Sequence, residues 1–161
     1  MSQREIKVAM GEGVVTRAPH VVSSLGLGSC VVIAIYDTRQ RIGGLAHIML
    51  PDSNCLSGQR PPFHCADTAI VTLLKKLRSK GAKRRDMVGK MVGGAQMFVS
   101  SNGSSPGIGV QNTINIKQIL NREEIPLTGE DIGDRYGRNV EFHLDSGKVI
   151  VKAIGREDRK L

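Results

Sequence analysis

Val31-Val32-Ile33-Ala34-Ile35-Tyr36, then Asp37-Thr38-Arg39-Gln40-Arg41, then Ile42-Gly43-Gly44-Leu45-Ala46-His47-Ile48-Met49 is the stretch that decides the fold. Two apolar runs, the first rich in β-branched residues, flank five polar residues and read as a β-hairpin. Cys30 stands at the start of the first strand and His47 near the end of the second. In an antiparallel pair those ends are neighbours, so seventeen residues of separation become possible contact. Working outward, 87–92 reads as a third strand, and 140–144 and 148–154 as a second hairpin around Asp145-Ser146-Gly147. The clearest helix is 66–80. Ala66, Ala69, Ile70, Leu73, Leu74 and Leu77 form one apolar stripe, cations crowd its last turns, and Gly81 stops it. A second helix is expected over 112–122, with Ile116, Ile119 and Leu120 inward. Strands with two main helices to cover them predict an α/β (α+β) layered sandwich with a mostly antiparallel β-sheet.

The 161 residues suffice for one domain with a real core, expected to span 1–161, and 40% hydrophobic content marks it as globular. Two loops interrupt the pattern: 51–63, polar and proline-rich, and 100–109, rich in Ser and Gly. The first residues interleave charges without an apolar block, so they do not read as a secretory signal. The longest strongly apolar stretch, 30–36, is far too short to cross a bilayer. Three cysteines, an odd number, fit a reducing compartment, and a cytoplasmic location without membrane insertion is expected. Aromatics at 3% and no Trp argue against a stacking platform for single-stranded nucleic acid, and no nucleic-acid partner is expected.

Leu25-Gly26-Leu27-Gly28-Ser29-Cys30 combines a thiol with a glycine turn. A free thiol is mostly protonated at neutral pH, and a neighbouring imidazole can take its proton to give a thiolate–imidazolium pair. Gly26 and Gly28 can adopt φ > 0 and let backbone N–H groups of the Gly28-to-Cys30 turn, Gly28 and Ser29 foremost, converge on an oxyanion. On spacing alone, a small buried Cys and a satisfied core His account for the pair as well.

Further blocks carry a resemblance that spacing does not: Gly44-Leu-Ala-His-Ile-Met-Leu-Pro-Asp52, Cys65-Ala-Asp-Thr-Ala69, Gly93-Gly-Ala-Gln-Met-Phe98, Ile108-Gly109…Asn112 and Asp131-Ile-Gly133…Arg138. In this order and at these distances the chain resembles the CheD family of bacterial chemoreceptor deamidases, from about residue 6 to 154. The resemblance implies a cysteine hydrolase, a protein-glutamine glutaminase that converts glutamine side chains on the cytoplasmic helices of methyl-accepting chemotaxis receptors into glutamate. It also implies activity on glutamyl methyl esters. It implies Cys30 as nucleophile, His47 as base, and Ser24 as the orienting hydroxyl, where the family usually carries Thr. Serine keeps the hydroxyl and loses the methyl that stiffens the rotamer. Two other departures are Cys65, where Tyr is common, and Asp134, where a second Gly is common. No metal or organic cofactor is implied. The chemotaxis phosphatase CheC is an implied partner, for which the Gly93–Phe98 block, bearing Met97 and Phe98, is a candidate contact. A non-catalytic regulator of CheC is the alternative reading.

Residues 75–90 hold eight cations against one acid, Asp86, and so carry almost all of the net charge of +8. A cationic helix end beside the site, with Lys83, Arg84 and Arg85 at its centre, is expected to steer acidic receptor helices. Cys55, His64 and Cys65 match no standard zinc spacing. His20 and His143 are expected at surface or strand positions, Asp67 in a first helical turn, and Asp131 with Arg138 as a buried pair fixing the last loop.

Overall fold

The protein is described from a computed structural model, which covers residues 1–55, 61–97 and 106–161. Phe98, most of the 100–109 loop and part of the 51–63 loop lie outside the described residues. The strands are Glu5–Lys7 (β1), Gly13–Arg17 (β2), Val21–Leu27 (β3), Val31–Asp37 (β4), Ile42–Ile48 (β5), Met87–Gly93 (β6), Leu127–Ile132 (β7), Arg138–His143 (β8), Lys148–Lys152 (β9) and Arg159–Lys160 (β10). The helices are Ala66–Ser79 (α1) and Ile108–Arg122 (α2). The strands form two five-stranded sheets, ordered β1-β3-β8-β9-β10 and β2-β5-β4-β6-β7. Pairing is antiparallel except for β1 with β3 and β6 with β7.

Strand β4 sits at the centre of the second sheet, and every one of its residues is buried. Its alternation explains the three layers. Val31, Ile33 and Ile35 face the helices, packing with Ile70, Leu73, Leu77 and Ile116. Val32, Ala34 and Tyr36 face the first sheet, packing with Val22, Val140 and Phe142. A strand covered on both faces reads as a continuous apolar run, as 31–36 does. The sheets approach closely at Gly43, where a Cβ would stand 2.5 Å from Leu144 Cδ1 and 2.7 Å from Phe142 Cζ.

The layered sandwich and both helices agree with the sequence reading. α1 ends one residue early, and α2 starts four residues before the expected 112. β1, β2, β3, β7 and β10 were not expected. The buried pair is present: Arg138 Nη2 and Nε each lie 3.0 Å from Asp131 Oδ1, and Nη1 donates to the Gly133 carbonyl at 2.8 Å. Asp134 takes φ +61°, a conformation easier for the glycine common in the family. No helix among the described residues is long and apolar enough to cross a membrane.

Candidate active site

The register of the central hairpin decides the geometry. Val32 pairs with His47 and Val31 with Ile48 across β4 and β5. Side chains alternate faces along a strand, so Cys30, Val32 and His47 share the face turned toward the first sheet. Ser24, on β3 of that first sheet, reaches across the interface. Its Oγ lies 2.8 Å from His47 Nδ1 and 2.7 Å from the carbonyl oxygen of Val8. Ser24 is 1% and His47 2% exposed, while Cys30 is half-buried. Ser24 and His47 therefore meet across the two sheets, with Cys30 at the entry to β4 on the same face as His47.

The hydroxyl of Ser24 has one proton to donate, and the Val8 carbonyl can only accept. The Ser24 proton therefore goes to Val8, and Ser24 Oγ accepts from His47 Nδ1–H. That assigns the tautomer and leaves the lone pair on Nε2. Nε2 is buried and has no hydrogen-bond partner among the described residues, the Cys30 thiol included. A buried ring nitrogen with a free lone pair is what a general base requires.

Burial pushes the Cys30 thiol above its usual value, with its own backbone N–H partly offsetting the effect. Burial pushes His47 below the ordinary imidazole range. Both displacements favour the uncharged forms. Burial therefore works against charge separation between the two groups in the free protein.

The turn before Cys30 is fixed from outside. Gly26 takes φ +71°, and its N–H donates to Asn139 Oδ1 at 2.9 Å. Gly28 stays outside the left-handed region, so only one of the two glycines uses that freedom. The carbonyls of Gly28, Ser29 and Cys30 accept from Ala95 N–H at 2.9 Å, Asn112 Nδ2 at 3.0 Å and Gly94 N–H at 2.8 Å. In a trans peptide the N–H opposes the C=O. The Ser29 N–H therefore points away from Ala95, and the Cys30 N–H points away from Asn112. Neither donates to another residue among those described, apart from the closeness of the Cys30 N–H to its own sulfur. Two donors beside a half-buried sulfur are equipped to hold an oxyanion.

Other expectations fall elsewhere. Lys83 donates its backbone N–H to Asp37 Oδ2 at 2.7 Å, at the opposite end of β4 from Cys30. At ~3.3 Å per residue this is about 20 Å away, so Lys83, Arg84 and Arg85 do not border the site. Arg84 is engaged by the Glu123 carboxylate and carbonyl. Lys90 lies in β6, its Nζ donating to the Gly147 and Leu161 carbonyls, so it is not part of that patch. Of the described residues of the Gly93–Phe98 block, Gly93, Gly94 and Ala95 are buried supports of the turn, and Gln96 and Met97 are exposed. Asp67 does more than face its helix dipole: its carboxylate accepts from Ser53 Oγ at 2.6 Å and anchors the preceding loop. His143 lies in β8, and His20 Nδ1 accepts the Arg4 N–H, away from the thiol. Val8, Ala95 and the role of Asn112 were not anticipated. The described residues contain no cluster of three or more His, Cys, Asp or Glu arranged to hold a metal ion.

Residues 49–153 match a family model described as CheD chemotactic sensory transduction. A protein of Moorella thermoacetica named "Probable chemoreceptor glutamine deamidase CheD" is 46% identical over 155 residues, covering 95% of this chain and 93% of that protein. Proteins of the same name from Caldanaerobacter subterraneus subsp. tengcongensis and Clostridium acetobutylicum are each 40% identical. They cover 96% and 98% of this chain respectively, and 96% of their own length. At these shares Cys30 and His47 fall inside the stretch shared with these relatives, and both precede the residues that the family model matches.

Proposed function

The chain belongs to the CheD family, and from that premise we propose that it hydrolyses the side-chain amide of glutamines on chemotaxis receptors to glutamate and ammonia. Support comes from the relatives' names for the activity and from the Ser24–His47–Cys30 arrangement for the chemistry. The observation that carries the mechanism is the unpartnered Nε2 of a histidine whose Nδ1 is tied to Ser24.

His47 Nε2 takes the Cys30 proton as sulfur attacks the carboxamide carbon, and the C=O electron pair moves onto oxygen. The Ser29 and Cys30 N–H groups receive that oxyanion. The imidazolium gives its proton to the amide nitrogen, the C–N bond breaks, and ammonia leaves a thioester. His47 then deprotonates water for attack on the thioester. The C–S bond breaks, and the proton returns to sulfur. The Cys30 proton passes through His47 to the leaving ammonia and is restored from water, and glutamyl methyl esters would follow the same path with methanol leaving. The residues themselves complete the cycle, so neither metal nor organic cofactor is needed.

Incubation with receptor cytoplasmic domains, read by intact mass and peptide mapping, tests this. Glutamine-to-glutamate conversion is expected with the wild-type protein and with Cys65→Ala, whose thiol is buried, and none with Cys30→Ala. Turnover by Cys30→Ala equal to wild type would sink the reading. A CheC phosphatase is proposed as a further partner at the exposed Gln96–Met97 corner, where Met97 Cγ would lie 3.5 Å from a Cβ at Gly28. The non-catalytic alternative gives no reason for a buried base with an assigned tautomer.

A further inference from the structure

Asn112 is wholly buried on α2, five positions into the helix, and its side chain leaves the helix to serve two other segments. Nδ2 donates to the Ser29 carbonyl at 3.0 Å and to the Met49 carbonyl at 3.1 Å. Both acceptors are carbonyls, which fixes which end of the amide is nitrogen. Oδ1 is left buried with no partner among the described residues. One NH2 group thus joins the residue before the nucleophile to the residue two beyond the base.

We propose that Asn112 is a positioning residue for the oxyanion site, resting on the deamidase reading above. The Ser29–Cys30 peptide is trans, because the one cis bond among the described residues is Ala18–Pro19. Holding its carbonyl toward Asn112 aims the Cys30 N–H the other way, beside the sulfur, where the oxygen of a tetrahedral intermediate must be received. The neighbouring Gly28 carbonyl is held by a backbone donor, Ala95 N–H, but among the described residues the Ser29 carbonyl has only this side chain. The second bond, to Met49, ties that peptide to the end of β5 that carries His47. The unpartnered Oδ1 makes Asn112 costlier than an apolar residue of similar size. The amide is therefore better explained by the aim of one peptide than by packing.

The test separates two reactions of the same thiol. Alkylation of Cys30 by iodoacetamide forms no oxyanion, whereas deamidation does. Asn112→Leu matches the side-chain length and removes both hydrogen bonds. Asn112→Ser, as a second variant, keeps one donor too short to span both carbonyls. Both are expected to lower kcat on a glutamine-bearing receptor domain by tenfold to a hundredfold. KM should stay at the wild-type value, and the rate of Cys30 alkylation should change far less than kcat. Unchanged kcat in a folded variant overturns the proposal. So does a parallel loss of alkylation and deamidation, or unfolding of both variants, since each would make Asn112 a structural residue only. Failure of the deamidase reading looks different, because the wild-type protein would then leave the receptor glutamines intact.

Discussion

A single proton on Ser24 sets the chemistry of His47. Because Val8 takes that proton, the imidazole must present its own Nδ1–H to Ser24 and keep Nε2 bare. Ser24→Ala leaves the base in place but free to turn or to change tautomer. A fall in kcat of roughly tenfold is expected with KM little changed, smaller than the ~10²–10⁴ loss from removing the base by His47→Ala. Ser24→Thr carries the same hydroxyl and is expected to retain activity. Steady-state kinetics of the three variants checks this order. The pH dependence follows from burial acting on both groups. The thiol lies above its ordinary 9.0 and the imidazole below its ordinary 6.5. Alkylation of Cys30 in the free enzyme should therefore climb with pH through and beyond 9.0, without the low-pH plateau of a preformed ion pair. The acidic limb of kcat/KM, which requires neutral His47, should fall below 6.5. A plateau in alkylation near pH 5 would contradict a neutral resting pair.

At the scale of elements, the Asp131–Arg138 pair fastens the end of β7 to the start of β8, and Arg159 adds a second cation to Asp131 at 3.2 Å. Asp131→Ala would strand a guanidinium that is 1% exposed, at a cost of about 3–5 kcal/mol. Asp131→Asn keeps acceptors and should cost less, and urea unfolding of the two variants measures the difference. These elements also mark where sequence reading succeeds. The hairpin of β4 and β5 was legible because its pairing is local and its faces alternate, and that register alone brought Cys30 toward His47. The apolar stripe of α1 was equally plain. The first turn of α2 was not, because Pro106, Gly107 and Gly109 are turn residues, yet tertiary packing carries the helix through Gly109. β7 reads Leu-Thr-Gly-Glu-Asp-Ile and owes its conformation to parallel pairing with β6, a contact from a distant part of the chain. Within the site, the roles of Val8 and Asn112 rest on main-chain carbonyls. Such roles leave no mark in residue type or spacing.

On the scale of the whole molecule, charge and chemistry occupy opposite ends of the sandwich. A separation of about 20 Å exceeds the ~8–10 Å over which exposed charges act near physiological salt. Lys83→Glu with Arg85→Glu, leaving Arg84 to its Glu123 contact, is therefore expected to change kcat/KM on receptor domains less than twofold. A salt series on both proteins checks it. A strong loss confined to low salt would mean that the receptor spans both ends. The placement of Ser24 has a different reach. Cys30, at the entry to β4, and His47 belong with one sheet, and the Ser24 hydroxyl that meets His47 at 2.8 Å belongs to the other. On the proposed mechanism, catalysis works as a gauge of alignment between two plates. A slip between them too small to disturb either plate's own hydrogen bonds would already part Ser24 from His47, and would cost about as much turnover as Ser24→Ala.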